Sequence, residues 1–255
     1  MKRHITYIAM LLTALTGASC SQDETPAGDG RTGVMAMTIS TSRAEDNGEY
    51  DPLQYQKVYI YNSEGGLLRK YAAKDDIPER LELLSGTYRV AVEAGEQVPA
   101  DFSKRFYKGE ETFTVKPGET THAEVVCKIA NTVVEVKFDA SIVENLDPGY
   151  FVWIAGTDKF DEAEAESGAV PALKFTDEGT GYYTLPAGTT SLAWMFRGTH
   201  TSGKQVEMEN TLTEVKAGGK YVFTFRYSPD LPGYIDALLI RVDTETEDKD
   251  DEIIF

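Results

Sequence analysis

Tyr221-Val222-Phe223-Thr224-Phe225-Arg226-Tyr227 decides the fold of this chain. Rings occupy every second position. A helix turns about 100° per residue and would scatter them round its axis, whereas a strand sends them all to one face. The same period of two runs through Tyr88, Val90 and Val92, through Phe113 and Val115, and through Val134, Val136 and Phe138. Between such runs stand turn-forming clusters: Asn62-Ser63-Glu64-Gly65-Gly66, Ser85-Gly86, Pro117-Gly118, Pro148-Gly149, Pro186-Ala187-Gly188, Ala217-Gly218-Gly219 and Pro232-Gly233. Short strands with one apolar face, punctuated this regularly, predict an all-β chain in which sheets bury one side against each other as sandwiches. Helix is expected only as a turn or two, near Phe160–Glu166 and Ala140–Asn145.

The pattern also repeats. Leu83-Leu84-Ser85-Gly86-Thr87 has a counterpart in Leu185-Pro186-Ala187-Gly188-Thr189, 102 residues later, and Val115-Lys116-Pro117-Gly118 has one in Val215-Lys216-Ala217-Gly218 at a spacing of 100. Two markers in the same order at one interval predict a duplicated unit of about 100 residues, the size of an immunoglobulin-like sandwich. The expected organisation is an N-terminal β-sandwich over 34–128 and a C-terminal one over 129–255 with an acidic end. They meet near Cys127–Asn131 in a junction too short for free hinging.

Ahead of the first strand, Lys2 and Arg3 precede a largely apolar run, Ile5–Leu15, and the small residues Thr16-Gly17-Ala18-Ser19 lead to Cys20. This is the layout of a secretory signal, and the run is too short for a membrane-spanning helix, which needs about 20 residues. Ending on cysteine, it reads as a lipoprotein signal over 1–19, with Cys20 the lipidated first residue of the mature chain. Residues 20–33 form a Gly/Pro/polar tether reaching about 20 Å as a coil. The acids Asp23 and Glu24 resemble the export tag of surface lipoproteins in Bacteroidetes-type bacteria, so an outer-membrane, cell-surface location is expected.

The chain carries 25 Lys+Arg and 42 Asp+Glu; without Lys2 and Arg3 the mature charge is 23 − 42 = −19. That balance excludes nucleic acid as a partner and disfavours anionic head groups, leaving acyl chains to hold the membrane. With Cys20 acylated, Cys127 has no disulfide partner and is expected as a small buried hydrophobe.

The run Tyr55–Gly95, with its Asn-x-x-Gly-Gly turn, Ile77-Pro78-Glu79 and Leu83-x-x-Gly86-Thr87-Tyr88, continues into Phe106-Tyr107-x-Gly109-x-x-x-Phe113-x-Val115 and Val126-Cys127-Lys128-Ile129-Ala130-Asn131. Together these resemble a family of Bacteroidetes-type lipoproteins whose shared domain has no assigned function. In architecture it is similar to the fimbrillin superfamily of pilus subunits and anchors, built from transthyretin-like or immunoglobulin-like sandwiches. The resemblance spans most of 34–243 and implies an outer-membrane lipoprotein with a non-enzymatic surface role. It carries over no catalytic residue.

The residues themselves supply little chemistry. Gly198–Gln205 is one residue short of a P-loop: Gln205 stands where Mg²⁺ needs a hydroxyl, and Val206, Met208 and Leu212 then follow a strand pattern, so a hairpin is expected. His122 and His200 are the mature chain's histidines, without metal-ligand spacing, and His122 belongs on the outer side of the strand that turns Ala123, Val125 and Cys127 inward. Asp243–Glu252 and Asp158–Glu166 lack the central glycine and spacing of a calcium loop and read as solvated charge. No metal, cofactor or catalytic residue is expected, and no enzymatic activity. Leu192, Trp194 and Phe196 share one strand face and Phe151 and Trp153 another, both expected in the core. The rings beside turns, Phe106-Tyr107 and Tyr182-Tyr183, are expected to be exposed.

The reading is a lipid-anchored binding or adhesion module with a protein or glycan ligand. A fimbrial subunit or anchor that self-assembles by strand donation is the first alternative: Arg43-Ala44 follows the strand Val34–Ser40, where an arginine-specific protease could cut, and Glu252-Ile253-Ile254-Phe255 has the form of a donor strand. A glycan-binding accessory lipoprotein is the second.

Overall fold

The structure is a computed structural model that describes residues 31–42, 50–227, 235–242 and 251–253, the last two runs as backbone alone. The first group of strands is β1 (Thr32–Thr41), β2 (Lys57–Asn62), β3 (Leu67–Tyr71), β4 (Arg80–Leu84), β5 (Gly86–Gly95), β6 (Ala100–Asp101), β7 (Phe106–Val115) and β8 (Thr120–Ile129). Then come β9 (Thr132–Phe138), helix α1 (Ala140–Asn145), β10 (Phe151–Ala155), helix α2 (Glu162–Ser167), β11 (Ala172–Phe175) and β12 (Gly179–Tyr183). The described chain closes with β13 (Leu192–Thr199), β14 (Gln205–Leu212), β15 (Lys220–Tyr227), β16 (Ile235–Val242) and β17 (Asp251–Ile253). Both helices start at aspartates: the carboxylates of Asp139 and Asp161 accept from the N–H groups of Ser141 and Glu164, the bonds that a helix start otherwise lacks. Gly168, at φ +72°, ends α2 in the left-handed conformation that glycine adopts without strain.

β1 to β8 without β6 form one sheet ordered β3-β2-β5-β7-β8-β1-β4, folded on itself at the β7–β8 corner, so that β4-β1-β8 faces β3-β2-β5-β7. Alternation decides what lies between the layers. Val58, Ile60, Tyr88, Val90 and Val92 come from one side, Met35, Leu83, Ala123, Val125 and Cys127 from the other, and all are buried. Gly109 makes the corner possible, since a Cβ there would meet the Val126 carbonyl at 2.8 Å and the Cys127 Sγ at 3.0 Å.

The second sandwich repeats the scheme. β11-β10-β13-β14 matches β3-β2-β5-β7, and β12-β9-β15 matches β4-β1-β8, with β9 parallel to β15 as β1 is to β8. The paired sequence markers fall at equivalent places, between β4 and β5 and between β12 and β13, then in the turns β7–β8 and β14–β15. β16 and β17 extend this sheet antiparallel beyond β15. Its core is aromatic: Phe196 and Phe225 stack at 5.7 Å, and Trp194 stands edge-on to Phe225 at 5.3 Å, a geometry favoured by ring quadrupoles. β13 is buried on both faces, because Phe160 and Ala165 cover Ala155, Ala193 and Met195 from outside.

Two strands of chain join the sandwiches. One is the covalent passage from β8 to β9. The other is β6, which leaves the first sandwich to pair antiparallel with Tyr182 and Tyr183 of β12, while Phe102 stands edge-on to Phe175 at 5.1 Å. Asn131 sits between them, 1% exposed. Its side-chain oxygen accepts from the Phe106 N–H at 2.6 Å, its side-chain nitrogen donates to Thr184 Oγ1 at 3.4 Å, and its carbonyl accepts from the Gly218 N–H.

Candidate functional surfaces

Cys20, Arg43 and Ala44 lie outside the described residues, as do Ile254 and Phe255. What the structure does place is the strand that ends just before Arg43. β1 lies between β4 and β8, antiparallel to one and parallel to the other. It gives Met35, Met37 and Ile39 to the core. Without it, β4 and β8 would be left about two strand spacings, roughly 10 Å, apart over Leu83, Ala123, Val125 and Cys127.

The residues with reactive side chains stay apart. Among the described residues no three of His, Cys, Asp and Glu gather in a way that could hold a metal ion. The Cys127 thiol is fully buried, and burial pushes its pKa up to about 11, so it is protonated and unreactive at neutral pH. His122 is exposed on β8, as its alternation predicts. His200 caps the β13–β14 hairpin: its ring meets Ser202 Oγ at 2.8 Å and lies 5.3 Å from the Tyr227 ring. The P-loop-like letters are therefore a turn, with Gly203 at φ +85°. No helix among the described residues is long and apolar enough to cross a membrane.

The aromatic rings correct several expectations. Leu192, Trp194 and Phe196 are in the core as expected, but Phe106, Tyr107 and Tyr183, expected at the surface, are buried as well. Tyr183 turns inward because Gly181 leaves room beside Leu173 and Phe175, which a Cβ there would meet at 2.6 and 3.0 Å. Phe151 and Trp153, expected inside, lie half-buried on the outer face of β10. On that face Lys174 lies 3.8 Å over the Phe151 ring and Arg197 bridges Glu162 (2.9 Å) and Glu207 (2.8 Å), while the buried Trp153 indole N–H has no hydrogen-bond partner. Those two glutamates raise the guanidinium pKa further above its already high value.

The outer face of β3-β2-β5-β7 differs. Val58 and Ile60 point inward, so Lys57, Tyr59 and Tyr61 point out. Lys70 lies 5.6 Å over the Tyr59 ring and Arg89 4.2 Å over the Tyr61 ring. Arg89 also reaches Glu110 at 3.1 Å, and Lys108 reaches Glu93 at 3.8 Å. The Tyr59 hydroxyl donates to Glu93 at 3.3 Å; burial, then the Glu93 charge, raises the phenol's pKa. Sequence reading passed over this surface. The signal was present in Lys57-Val58-Tyr59-Ile60-Tyr61, where the odd members share a face, but only the cross-strand register sets Lys70 and Arg89 opposite the rings.

Residues 32–255 match the family described as a domain of unknown function, DUF4493. The chain belongs to that family. No curated protein matches it. Among solved structures, a fimbrial assembly protein from Parabacteroides distasonis resembles the DUF4493 chain with a TM-score of 0.50 at 13% identity, over 88% of this chain and 98% of that one. The fimbrial anchor protein Mfa2 from Porphyromonas gingivalis has a TM-score of 0.42 at 8% identity, over 82% and 98%. At such identities the likeness is one of fold alone.

Proposed function

We propose that this DUF4493 chain is a non-enzymatic, lipid-anchored cell-surface protein that acts as a binding or adhesion module. In this reading Cys20 carries the lipid in the outer membrane and residues 20–33 are the tether. Residues 34–128 and 129–255 are two sandwich domains presented outward. The observation that supports it best is the double connection at Asn131 and β6, which links the two sandwiches by a side-chain hydrogen bond and a strand pairing. Protease shaving of intact cells tests it: the folded part is expected to be lost from the surface, and full protection would refute display. Cys20→Ala is expected to release the protein from the membrane fraction.

A second reading, a fimbrial subunit or anchor, draws on the position of β1. It is the strand whose departure would open a groove, and Arg43-Ala44 follows it directly. The Parabacteroides distasonis protein named for fimbrial assembly shares the fold, which is compatible with such a role. N-terminal sequencing of the surface protein separates the two readings. A start at Ala44 supports strand exchange, and a blocked, lipidated Cys20 refutes it.

A further inference from the structure

The charge of this chain is distributed unevenly in a way its composition hides. Its formal net charge is −17, yet the outer face of β3-β2-β5-β7 carries four bases, Lys57, Lys70, Arg89 and Lys108, against two acids, Glu93 and Glu110. The acids are matched to Lys108 and Arg89. Lys57 and Lys70 are both exposed, with Lys57 standing opposite Glu93 in the β2–β5 register. The surplus of positive charge therefore sits at the β2–β3 side, next to two half-exposed tyrosines.

We infer that this face binds an anionic polysaccharide, with Lys57 and Lys70 meeting its acid groups beside the half-exposed Tyr59 and Tyr61. The inference rests on the surface-binding reading above and names the ligand class. Three features select this occupant. The rings are Tyr rather than Phe, so each gives an apolar body and a polar tip to a ligand that is itself part C–H and part hydroxyl. The bases are spread over adjacent strands about 4.8 Å apart, so they meet charges spaced along an extended chain better than one compact ion. The bases and rings stand on the outer face of a sheet, with Leu67 53% exposed at its rim. Nucleic acid is disfavoured because its dense phosphates would meet the field of an acidic body within a Debye length of about 8–10 Å. A sparsely charged glycan feels that repulsion less.

The test is calorimetric titration of the purified full-length chain with hyaluronate and keratan sulfate, whose carboxylates and sulfates are sparsely spaced, and with neutral dextran. Binding to at least one anionic polymer is expected, with none to dextran, and the polymer that binds identifies carboxylate or sulfate as the group recognised. Lys57→Glu/Lys70→Glu is expected to weaken that binding at least about tenfold, because it reverses the local field. Lys174→Glu, on the opposite sandwich, is expected to leave it unchanged. Equal melting temperatures show that the variants are folded. No binding to either polyanion, or equal binding by the double variant, overturns the inference. So does self-association of the free protein, seen by sedimentation and abolished by the double variant, since the face would then receive a second copy. A protein shaved from intact cells that binds no polyanion loses this ligand and keeps its surface role. A protein that cannot be shaved loses the surface role.

Discussion

Replacing Asn131 by Ala removes a side chain that ties β7 to the β12–β13 connection. Its oxygen is the acceptor for the Phe106 N–H at 2.6 Å, and Phe106 and Asn131 are 4% and 1% exposed, so water cannot readily take over that bond. A buried donor left unmatched costs about 1–3 kcal/mol, and an ordinary hydrogen bond contributes about 0.5–1.5 kcal/mol. The bond to Thr184, at 3.4 Å, belongs at the weak end of that range. Asn131→Ala is therefore expected to destabilise the protein by about 2–4 kcal/mol, or roughly 5–12 °C in melting temperature for a chain of this size. Urea unfolding followed by circular dichroism measures it. Thr184→Val, which loses the long bond alone, is expected to cost under about 1 kcal/mol. An Asn131→Ala change smaller than about 0.5 kcal/mol would show that the Phe106 N–H finds another acceptor and that the junction does not depend on this side chain.

Three further predictions concern other parts of the fold. Gly95 has φ +91°, and a Cβ on it would lie 1.9 Å from the Arg105 carbonyl, so Gly95→Ala is expected to cost about 3 kcal/mol or more in urea unfolding, combining backbone strain with a forced shift of β7. Burial of the Glu135 carboxyl opposes ionisation, but Lys220 at 2.7 Å and Lys137 at 3.1 Å outweigh it and hold its pKa below the ordinary carboxylate range. A depressed folded pKa contributes stability above the unfolded value near 4.3, which is lost as pH falls through the folded one. Glu135→Gln should therefore reduce stability at pH 7 and converge with the parent in acid, and two parallel stability–pH curves would contradict this. Cys127 should resist iodoacetamide at pH 8 in the folded protein and react in denaturing urea. Rapid native labelling would show that the β7–β8 corner opens.

Period two was enough to read the strands around Tyr88, Val134 and Phe223, because each alternation sends its larger side chains into a core, although Val133 and Val222 are buried on the opposite face as well. The helical turns at 140–145 and 162–167 fall where helix was expected, near Ala140–Asn145 and Phe160–Glu166, but their capping by Asp139 and Asp161 was not read from the sequence. β6 was not legible. Two residues carry no period, and their pairing with Tyr182 and Tyr183 depends on where the sandwiches meet. Phe151 and Trp153 misled for a related reason: alternation separates two faces without saying which faces the core, and α2 shields the outer one. The basic face was hidden by composition, since an excess of acids over the whole chain conceals a local surplus of four bases over two.

The position of β1 has a consequence for how the molecule is made. Val34 pairs with Thr120, 120 − 34 = 86 residues further on. A chain emerging from its amino end thus holds its first strand without a parallel neighbour until about a third of the sequence has followed. Pairings this distant form slowly, and in that interval Met35, Met37 and Ile39 are open to any competing segment. The same delay gives a foreign strand its opportunity to enter beside β1 on the β8 side.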